Sequence, residues 1–167
     1  MSFVDYGDPR YADSFRAALA EGLAMPGDRA PEPDARLVLP AEAHLPDGST
    51  IRRPPTLALW WIEADAYIGS LYIHRDLADP FVAEYVGHIL YAVRPSRQGN
   101  GHAGRMLAAA RALAGAAGID PVRVYARATN IASCRVIERA GGALLDLKPL
   151  PYDPDGPPLR RYAIPTG

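Results

Sequence analysis

The fold is decided by residues 87–118, which read GHILYAVRPSRQGNGHAGRMLAAARALAGAAG. Residues 88–93 form a short apolar run typical of a strand. Residues 101–117 carry apolar side chains at helical spacing and are followed by Gly118, a residue suited to a helix C-cap. A turn dense in glycine lies between them. A strand, a glycine turn and a helix N-terminus in this order present backbone N–H groups to a phosphate. The predicted buried face of the helix consists of Ala103, Met106, Ala110, Leu113 and Ala117.

The sequence around this stretch predicts a mixed, mostly antiparallel sheet of about six to seven strands flanked by helices, an α/β (α+β) fold. Asp8 and Pro9 are typical of a helix start, and Ala64-Asp65 suits a hairpin turn. We expect one domain over residues 1–167, with a helical part at residues 1–55 and loops at residues 26–33 and 74–85. Strands are predicted at residues 56–62, 67–73, 88–93, 122–126, 143–147 and 160–164, and helices at residues 8–25, 101–117 and 131–140. Residues 35–45 are either a short helix or irregular.

Composition narrows the classes of function. A formal net charge of -1 over 167 residues argues against a broad nucleic-acid or membrane footprint. The single cysteine, Cys134, excludes an internal disulfide. Without a signal peptide pattern or an apolar run of membrane length, the expected location is the cytoplasm. The four histidines are scattered without the spacing of metal ligands, so no metal site is predicted.

The glycine turn has two interpretations. Gly99, Gly101 and Gly104 satisfy the dinucleotide pattern G-x-G-x-x-G. Five residues separate the end of the strand at Val93 from the first glycine, however, whereas the dinucleotide turn is tight. The pattern also comes late in the chain, and the next strand ends in Arg127 where that fold has an acidic residue. A P-loop is excluded because no Gly-Lys-Ser/Thr is present.

The same residues also form Q-x-x-G-x-A, from Gln98 through Gly101 to Ala103, with VRP just upstream. A later segment, ATNIASCRVIERAGGAL at residues 128–144, and RRYAI near the end follow in order. In these three segments the chain resembles the GNAT superfamily of acyl-CoA-dependent N-acetyltransferases, and most of all a bacterial branch of it. The similarity extends over about residues 56–164, and the earlier helices match only in kind.

The resemblance implies acetyl-CoA as the acyl donor. It implies that the turn and the helix N-terminus hold the pyrophosphate and that the preceding strand pairs with the pantetheine arm. Asn130 and Ser133 match family positions near the cofactor. The alternative for both is capping of their own helix, which is expected for Asn130 and is compatible with ligand contact. Arg94 could reach CoA phosphates or be a solvated side chain, and the side chain of His102 is expected to point outward as a spacer. The expected cofactor-binding residues are Tyr91, Ala92, Val93, Arg97, Gln98, Gly99, Asn100, Gly101, His102, Ala103, Gly104, Asn130 and Ser133.

Acetyl transfer needs a neutral amine, an oxyanion stabiliser and a proton for the leaving thiolate. The predicted catalytic residues are His88 and Glu84 as base candidates and Tyr91 as a proton donor. The alternative for His88 is a hydrogen-bonded sheet residue, and for Glu84 an exposed loop carboxylate. Many family members use a tyrosine as acid seven positions after the asparagine. In this chain that position holds Ile137.

The predicted function is transfer of an acetyl group to a primary amine by direct attack in a ternary complex. The acceptor is a small metabolite, an antibiotic or a protein amine, and residues 1–55 are expected to help form its pocket. The alternative is a non-catalytic acetyl-CoA-binding module used in regulation or assembly. No nucleic acid or membrane partner is expected, and a homodimer is possible.

Overall fold

The computed structural model describes residues 2–23, 42–44, 48, 50–52 and 54–167. The strands are β1 (Ser2–Asp5), β2 (Glu42–His44), β3 (Thr50–Arg52), β4 (Thr56–Glu63), β5 (Ala66–His74), β6 (Ile89–Val93), β7 (Val122–Arg127), β8 (Ala143–Lys148) and β9 (Leu159–Ile164). The α-helices are α1 (Ala12–Ala20), α2 (His102–Ala116) and α3 (Ile131–Arg139). Shorter helical turns cover Pro9–Tyr11, Val82–Val86 and Pro95–Arg97.

Seven strands form one sheet in the order β1-β4-β5-β6-β7-β9-β8, and β2 pairs with β3 separately. The pairs β1–β4, β7–β9 and β8–β9 are antiparallel, whereas β6 and β7 run parallel. The predicted mixed, mostly antiparallel α/β architecture is therefore confirmed. The six predicted strands are all present, within one or two residues of their expected ends.

The chain divides into two compact units. The first unit contains residues 1–53, 58–72 and 91–102, and the second contains residues 54–57, 73–90 and 103–167. Aromatic packing forms the core of the first unit. Phe15 of α1 stacks on Trp60 of β4 with ring centroids 4.7 Å apart, and Tyr67 of β5 meets Phe15 edge-on at 5.0 Å.

The hairpin between β4 and β5 turns at the predicted dipeptide. Ala64 and Asp65 both have positive φ, 48° and 58°. A two-residue turn with positive φ at both positions matches the right-handed twist of the flanking strands, which is why it closes a tight hairpin. Neither residue is glycine, so the turn is formed at some conformational cost.

In the second unit, α2 buries Met106, Leu107, Ala110 and Ala114. The predicted face of this helix is thus only partly correct, because Leu113 and Ala117 are exposed. Gly118 follows the helix with a φ of 78°, as a left-handed C-cap requires. Val124 of β7, Ile137 of α3, and Tyr162 and Ile164 of β9 are buried as well.

Several boundaries differ from the prediction. Helix α1 ends at Ala20 and not near Met25, because Glu21 and Gly22 turn the chain and Gly22 has a φ of 91°. Strand β1 was not predicted. The expected loop at residues 74–85 contains a π-helical turn, Val82–Val86. Within residues 35–45, Glu42–His44 is strand. Residues 26–33, and residues 35–41 and 45 of the ambiguous segment, lie outside the described residues.

No helix among the described residues is long and apolar enough to cross a membrane.

Candidate acyl-donor site and catalytic residues

The loop after β6 is ordered by its own hydrogen bonds. Pro95–Arg97 forms a 3₁₀ turn, and Gln98 N–H donates to the Pro95 carbonyl at 3.2 Å. The Gln98 side chain also donates to the Val93 carbonyl at 3.2 Å. The Asn100 amide donates to the carbonyls of Arg97 and Gln98 at 3.3 and 3.1 Å. These hydrogen bonds fix the backbone conformation of residues 93–100.

Glycine is required where the loop enters α2. Gly99 and Gly101 have φ values of 80° and 75°, which other residues adopt only with strain. A Cβ placed on Gly99 or on Gly104 would meet nothing within 4 Å, and residues 96–101 are exposed. Residues 96–101 are therefore accessible to a ligand, and no side chain covers Gly99.

Helix α2 begins at His102 and is 15 residues long. The first N–H groups of an α-helix have no partner within the helix, and the helix dipole adds partial positive charge there. An exposed glycine loop leading into such an N-terminus suits a phosphate or pyrophosphate. The geometry of residues 98–104 therefore fits the anion predicted from the sequence.

His102 differs from the sequence-based expectation. Its side chain does not point outward: it is only 4% exposed, with Nε2 3.6 Å from a carboxylate oxygen of Glu63. Glu63 is the last residue of β4, distant in sequence. No local pattern in the glycine turn signals this neighbour, so only the folded chain reveals the contact.

Asn130 caps helix α3. Its Oδ1 accepts a hydrogen bond from Ser133 N–H at 3.1 Å, and Cys134 N–H donates to the Asn130 carbonyl at 3.0 Å. The predicted capping role of Asn130 is thus present. Asn130 is also exposed and Ser133 half-buried, so the cap leaves their ligand role as a prediction. Ile137, seven positions after Asn130 on the same helix, is fully buried, and a Cβ on Gly142 would lie 2.6 Å from its Cγ2.

His88 precedes β6 and serves as a hydrogen-bond acceptor. Its Nδ1 accepts the N–H of Arg123 at 2.9 Å, while its own N–H donates to the Arg123 carbonyl at 2.8 Å. Burial, helped by the charge of Arg123 and by His74, lowers the pKa of His88 from 6.5 to about 4. The imidazole is therefore neutral at pH 7, with its proton on Nε2 and its lone pair directed at a peptide N–H. This geometry favours the structural alternative for His88 over a base.

The bend before His88 depends on Gly87. The residue has a φ of 81°, and a Cβ there would lie 2.7 Å from the Arg123 carbonyl oxygen. The Gly87 carbonyl faces Nδ1 of buried His74 at 2.9 Å, and Gly87 N–H donates to Val82. Hydrogen bonds made by His74, Gly87 and His88 thus fix the chain between the π-helical turn and β6.

Glu84 lies on the π-helical turn and pairs with Lys148, the only lysine in the chain. Its Oε2 is 2.7 Å from Lys148 Nζ, and this hydrogen bond and charge lower the pKa of Glu84. Arg161 also donates to the Glu84 carbonyl at 3.4 Å. Glu84 is accordingly an ion-paired carboxylate and a weaker base than a free glutamate.

The remaining predicted residues lie on strand β6 and on the loop. Tyr91, Ala92 and Val93 are half-buried, and Ala92 packs against the aromatic core of the first unit. Within that unit, residues 91–102 bring together the strand and the loop. In the second unit, Glu84 and His88 are neighbours along one short segment. Among the described residues no three His, Cys, Asp or Glu side chains are grouped as a metal site would need.

Sequence reasoning missed one contact of the loop. Arg94, predicted either to reach phosphate or to be solvated, instead pairs with Glu21 just after α1, with Nε and Oε1 2.7 Å apart. The same carboxylate accepts Ser96 N–H at 3.1 Å. Glu21 and Arg94 are 73 positions apart in the sequence, and no spacing rule connects them.

Comparisons with known proteins give a consistent result. The chain superposes on the structure of yncA from Salmonella typhimurium with its cofactor acetyl-CoA at a TM-score of 0.63, with 14% identity over 99% of this chain and 94% of that one. A GCN5-related N-acetyltransferase from Kribbella flavida matches with a TM-score of 0.58, 16% identity and coverages of 98% and 96%. The GNAT domain of S. lividans PAT gives a TM-score of 0.58, 17% identity and coverages of 97% and 89%.

At these identities the structures establish the likeness of the fold. None of the curated proteins compared matches this sequence. The family model described as "Acetyltransferase (GNAT) domain" matches residues 39–143, more than half of the chain and the part that holds β4 to α3. The chain belongs to the GNAT acetyltransferase family.

Proposed function

We propose that this protein is an N-acetyltransferase that moves an acetyl group from acetyl-CoA to a primary amine. The observation that carries the proposal is the exposed glycine loop at residues 98–101 leading directly into the N-terminus of α2. The acceptor belongs to one of three classes: a small metabolite, an antibiotic or a protein amine.

The loop accounts for recognition of the donor. Positive φ at Gly99 and Gly101 turns the backbone so that it approaches a ligand without side chains in between. The α2 N-terminus supplies N–H donors and a favourable dipole for the pyrophosphate oxygens. On this proposal Arg97 and Asn100 border the same anion, and the backbone of Tyr91, Ala92 and Val93 pairs with the pantetheine arm. Ligand contacts of Asn130 and Ser133 are part of the proposal.

The reaction is balanced without a covalent enzyme intermediate. The lone pair of the neutral amine attacks the thioester carbonyl carbon, the C–N bond forms and the C–S bond breaks. The departing thiolate of CoA takes up the proton that the new ammonium centre releases. Bringing the two substrates together in one orientation supplies much of the rate acceleration.

The acceptor amine must lose a proton before it can attack the thioester. Both predicted bases have pKa values below their ordinary ranges, His88 through burial and Glu84 through Lys148. Each is thus a poor proton acceptor at pH 7. We therefore propose that the amine binds in its neutral form, having lost its proton to water. Tyr91 is the candidate that relays the proton: it donates to the thiolate and takes back the proton that the new ammonium centre releases.

One observation supports a second function, that of a non-catalytic acetyl-CoA-binding module. Ile137 occupies the position where many family members have the acid tyrosine, and it is fully buried in the core. A protein of this kind could bind acetyl-CoA without turnover, acting in regulation or assembly. Loss of one acid does not abolish transfer in an oriented complex, so we place the enzyme first.

The test is an assay of free thiol release from acetyl-CoA across a panel of primary amines, with isothermal titration of CoA alongside. The enzyme predicts saturable CoA binding and amine-dependent thiol release. CoA binding without turnover over a broad panel would favour the binding module. Binding of NADPH without binding of CoA would contradict the proposal as a whole. An acetylated enzyme intermediate that passes its acetyl group to the amine would contradict only the direct mechanism.

A further inference from the structure

The end of helix α1 is joined by a single carboxylate to the start of the loop that follows β6. We call this loop, residues 94–101, the donor loop. Glu21 lies just after α1, and its Oε1 accepts Arg94 Nε at 2.7 Å. Its second oxygen, Oε2, accepts the backbone N–H of Ser96 at 3.1 Å. All three residues belong to the first unit. One side chain thus bonds both the side chain that opens the loop and the backbone of its first turn.

The arrangement is reinforced on both sides. Arg94 also donates from Nη1 to Ser14 Oγ at 3.4 Å, and Ser14 Oγ accepts the N–H of Tyr67 at 3.0 Å. The backbone N–H of Arg94 donates to the Ile68 carbonyl at 2.8 Å. Helix α1 and strand β5 therefore both hold the point where the chain leaves β6.

The surroundings of Glu21 keep its side chain ionised. The side chains of Arg94 and Glu21 are only 16% and 28% exposed, so the pair is partly screened from water. Hydrogen bonds from Arg94 and Ser96 lower the pKa of Glu21 to about 2. The group is therefore ionised throughout the neutral range and accepts both donors at once.

From these contacts we infer that Glu21 is a positioning residue for the acyl donor: through Ser96 N–H it fixes the 3₁₀ turn from which the Gln98–Gly104 segment approaches the pyrophosphate. This inference rests on the proposed function, since it assigns the donor to that loop. Glu21 does not touch the donor itself. The turn continues into the loop because Gln98 N–H donates to Pro95 and Arg97 N–H to Arg94. A shift at Ser96 is therefore passed to the residues that follow.

The inference predicts a selective defect in Glu21→Gln. Arg94 and Ser96 now bond different oxygens of the carboxylate. A carboxamide has only one acceptor oxygen, so its NH₂ group would face one of the two donors and the two bonds could not both keep their present geometry. We expect Kd and KM for acetyl-CoA to rise about tenfold, as expected for a weakened charge-assisted hydrogen bond. The values of kcat and of KM for the amine should stay within about twofold. Amide hydrogen exchange at residues 96–99 should accelerate.

Two further variants serve as controls. Asp13→Asn makes the same chemical change on α1, but Asp13 pairs with Arg16 on the exposed face, so donor affinity should be unchanged. Arg94→Gln removes the same ion pair while leaving Glu21 available to Ser96 N–H, so its effect on donor affinity should be smaller than that of Glu21→Gln. Thermal melting of each variant measures the stability change separately.

The outcomes separate the two proposals. Wild-type protein that fails to bind acetyl-CoA in titration overturns the proposed function and this inference with it. Wild-type binding together with unchanged donor affinity in Glu21→Gln overturns the inference alone. Equal losses in Glu21→Gln and Arg94→Gln would assign the effect to the ion pair and remove the role of Ser96. A selective rise in donor Kd with faster exchange at the loop supports the inference.

Discussion

The sharpest test of the donor loop places a negative charge where the pyrophosphate is proposed to bind. Gly104 is exposed on the first turn of α2, and a Cβ added there meets nothing within 4 Å. Replacing glycine with glutamate in a helix removes a poor helix former, and an acidic residue in the first turn interacts favourably with the dipole. Gly104→Glu should therefore fold at least as stably as wild type while repelling the anion.

The magnitude follows from Coulomb's law. A carboxylate about 6 Å from a group of about two negative charges, at an effective dielectric constant of about 60, gives a repulsion of about 2 kcal/mol. That corresponds to a rise of about twenty- to thirtyfold in Kd and KM for acetyl-CoA, because about 1.4 kcal/mol is a factor of ten. Since mobile ions screen exposed charges, the effect should shrink as salt is raised toward about 1 M.

The assay compares Gly104→Glu with Gly104→Gln, which has the same shape without the charge. Titration calorimetry with CoA and initial rates at varied acetyl-CoA give the ratio between the two variants, and thermal melting monitors the fold. Ala108→Glu, an exposed position one turn later on α2, is the control for added charge alone. Equal donor affinities in Gly104→Glu and Gly104→Gln, or a difference independent of salt, would refute the assignment of the anion to this helix N-terminus.

Four other predictions concern the segment before β6 and the proton balance. His88→Asn keeps an acceptor near the Nδ1 position for Arg123 N–H, so kcat should fall less than about fivefold; a general base would lose about a hundredfold or more. The pKa of His88 in the folded chain is about 4, below the ordinary 6.5, so between these pH values the unfolded chain binds a proton that the folded chain does not. The stability of the wild type should therefore fall as the pH is lowered from about 6.5 to about 4. In urea titrations at several pH values, His88→Asn should lose that part of the pH dependence. Gly87→Ala should lower the melting temperature markedly, since its Cβ would meet the Arg123 carbonyl at 2.7 Å; an unchanged melting curve would contradict the close approach. In pH profiles of kcat/KM for the amine, the upper break should follow the pKa of each amine tested, whereas a break at one fixed pH for all amines would indicate an enzyme base.

Local sequence determined the features that depend on neighbouring residues. The glycine positions of the donor loop, the Asn130 cap of α3 and the Ala64-Asp65 turn were all predictable, because each follows from backbone torsions and hydrogen bonds within a few residues. The positions of β4 to β9 were predictable from runs of strand-forming residues, whereas β1 was missed. The family resemblance rested on the same local segments and was confirmed by the domain match.

The tertiary structure decided the environment of each functional side chain. His102 was expected to point outward and is buried beside Glu63. The buried face of α2 was predicted only in part, because Leu107 and Ala114 are buried where Leu113 and Ala117 were expected to be. Arg94 was a candidate for phosphate and is bound by Glu21. These outcomes depend on which distant segments pack together, and hydrophobic spacing does not specify them.

The sequence by itself thus identified the family, the course of the chain around the donor loop and the type of anion that suits it. Only the folded chain showed that His88 accepts a peptide N–H and that Glu84 pairs with Lys148. The physical reason is that backbone conformation is governed by near neighbours, whereas the pKa and orientation of a side chain depend on burial and on charges brought from elsewhere in the chain.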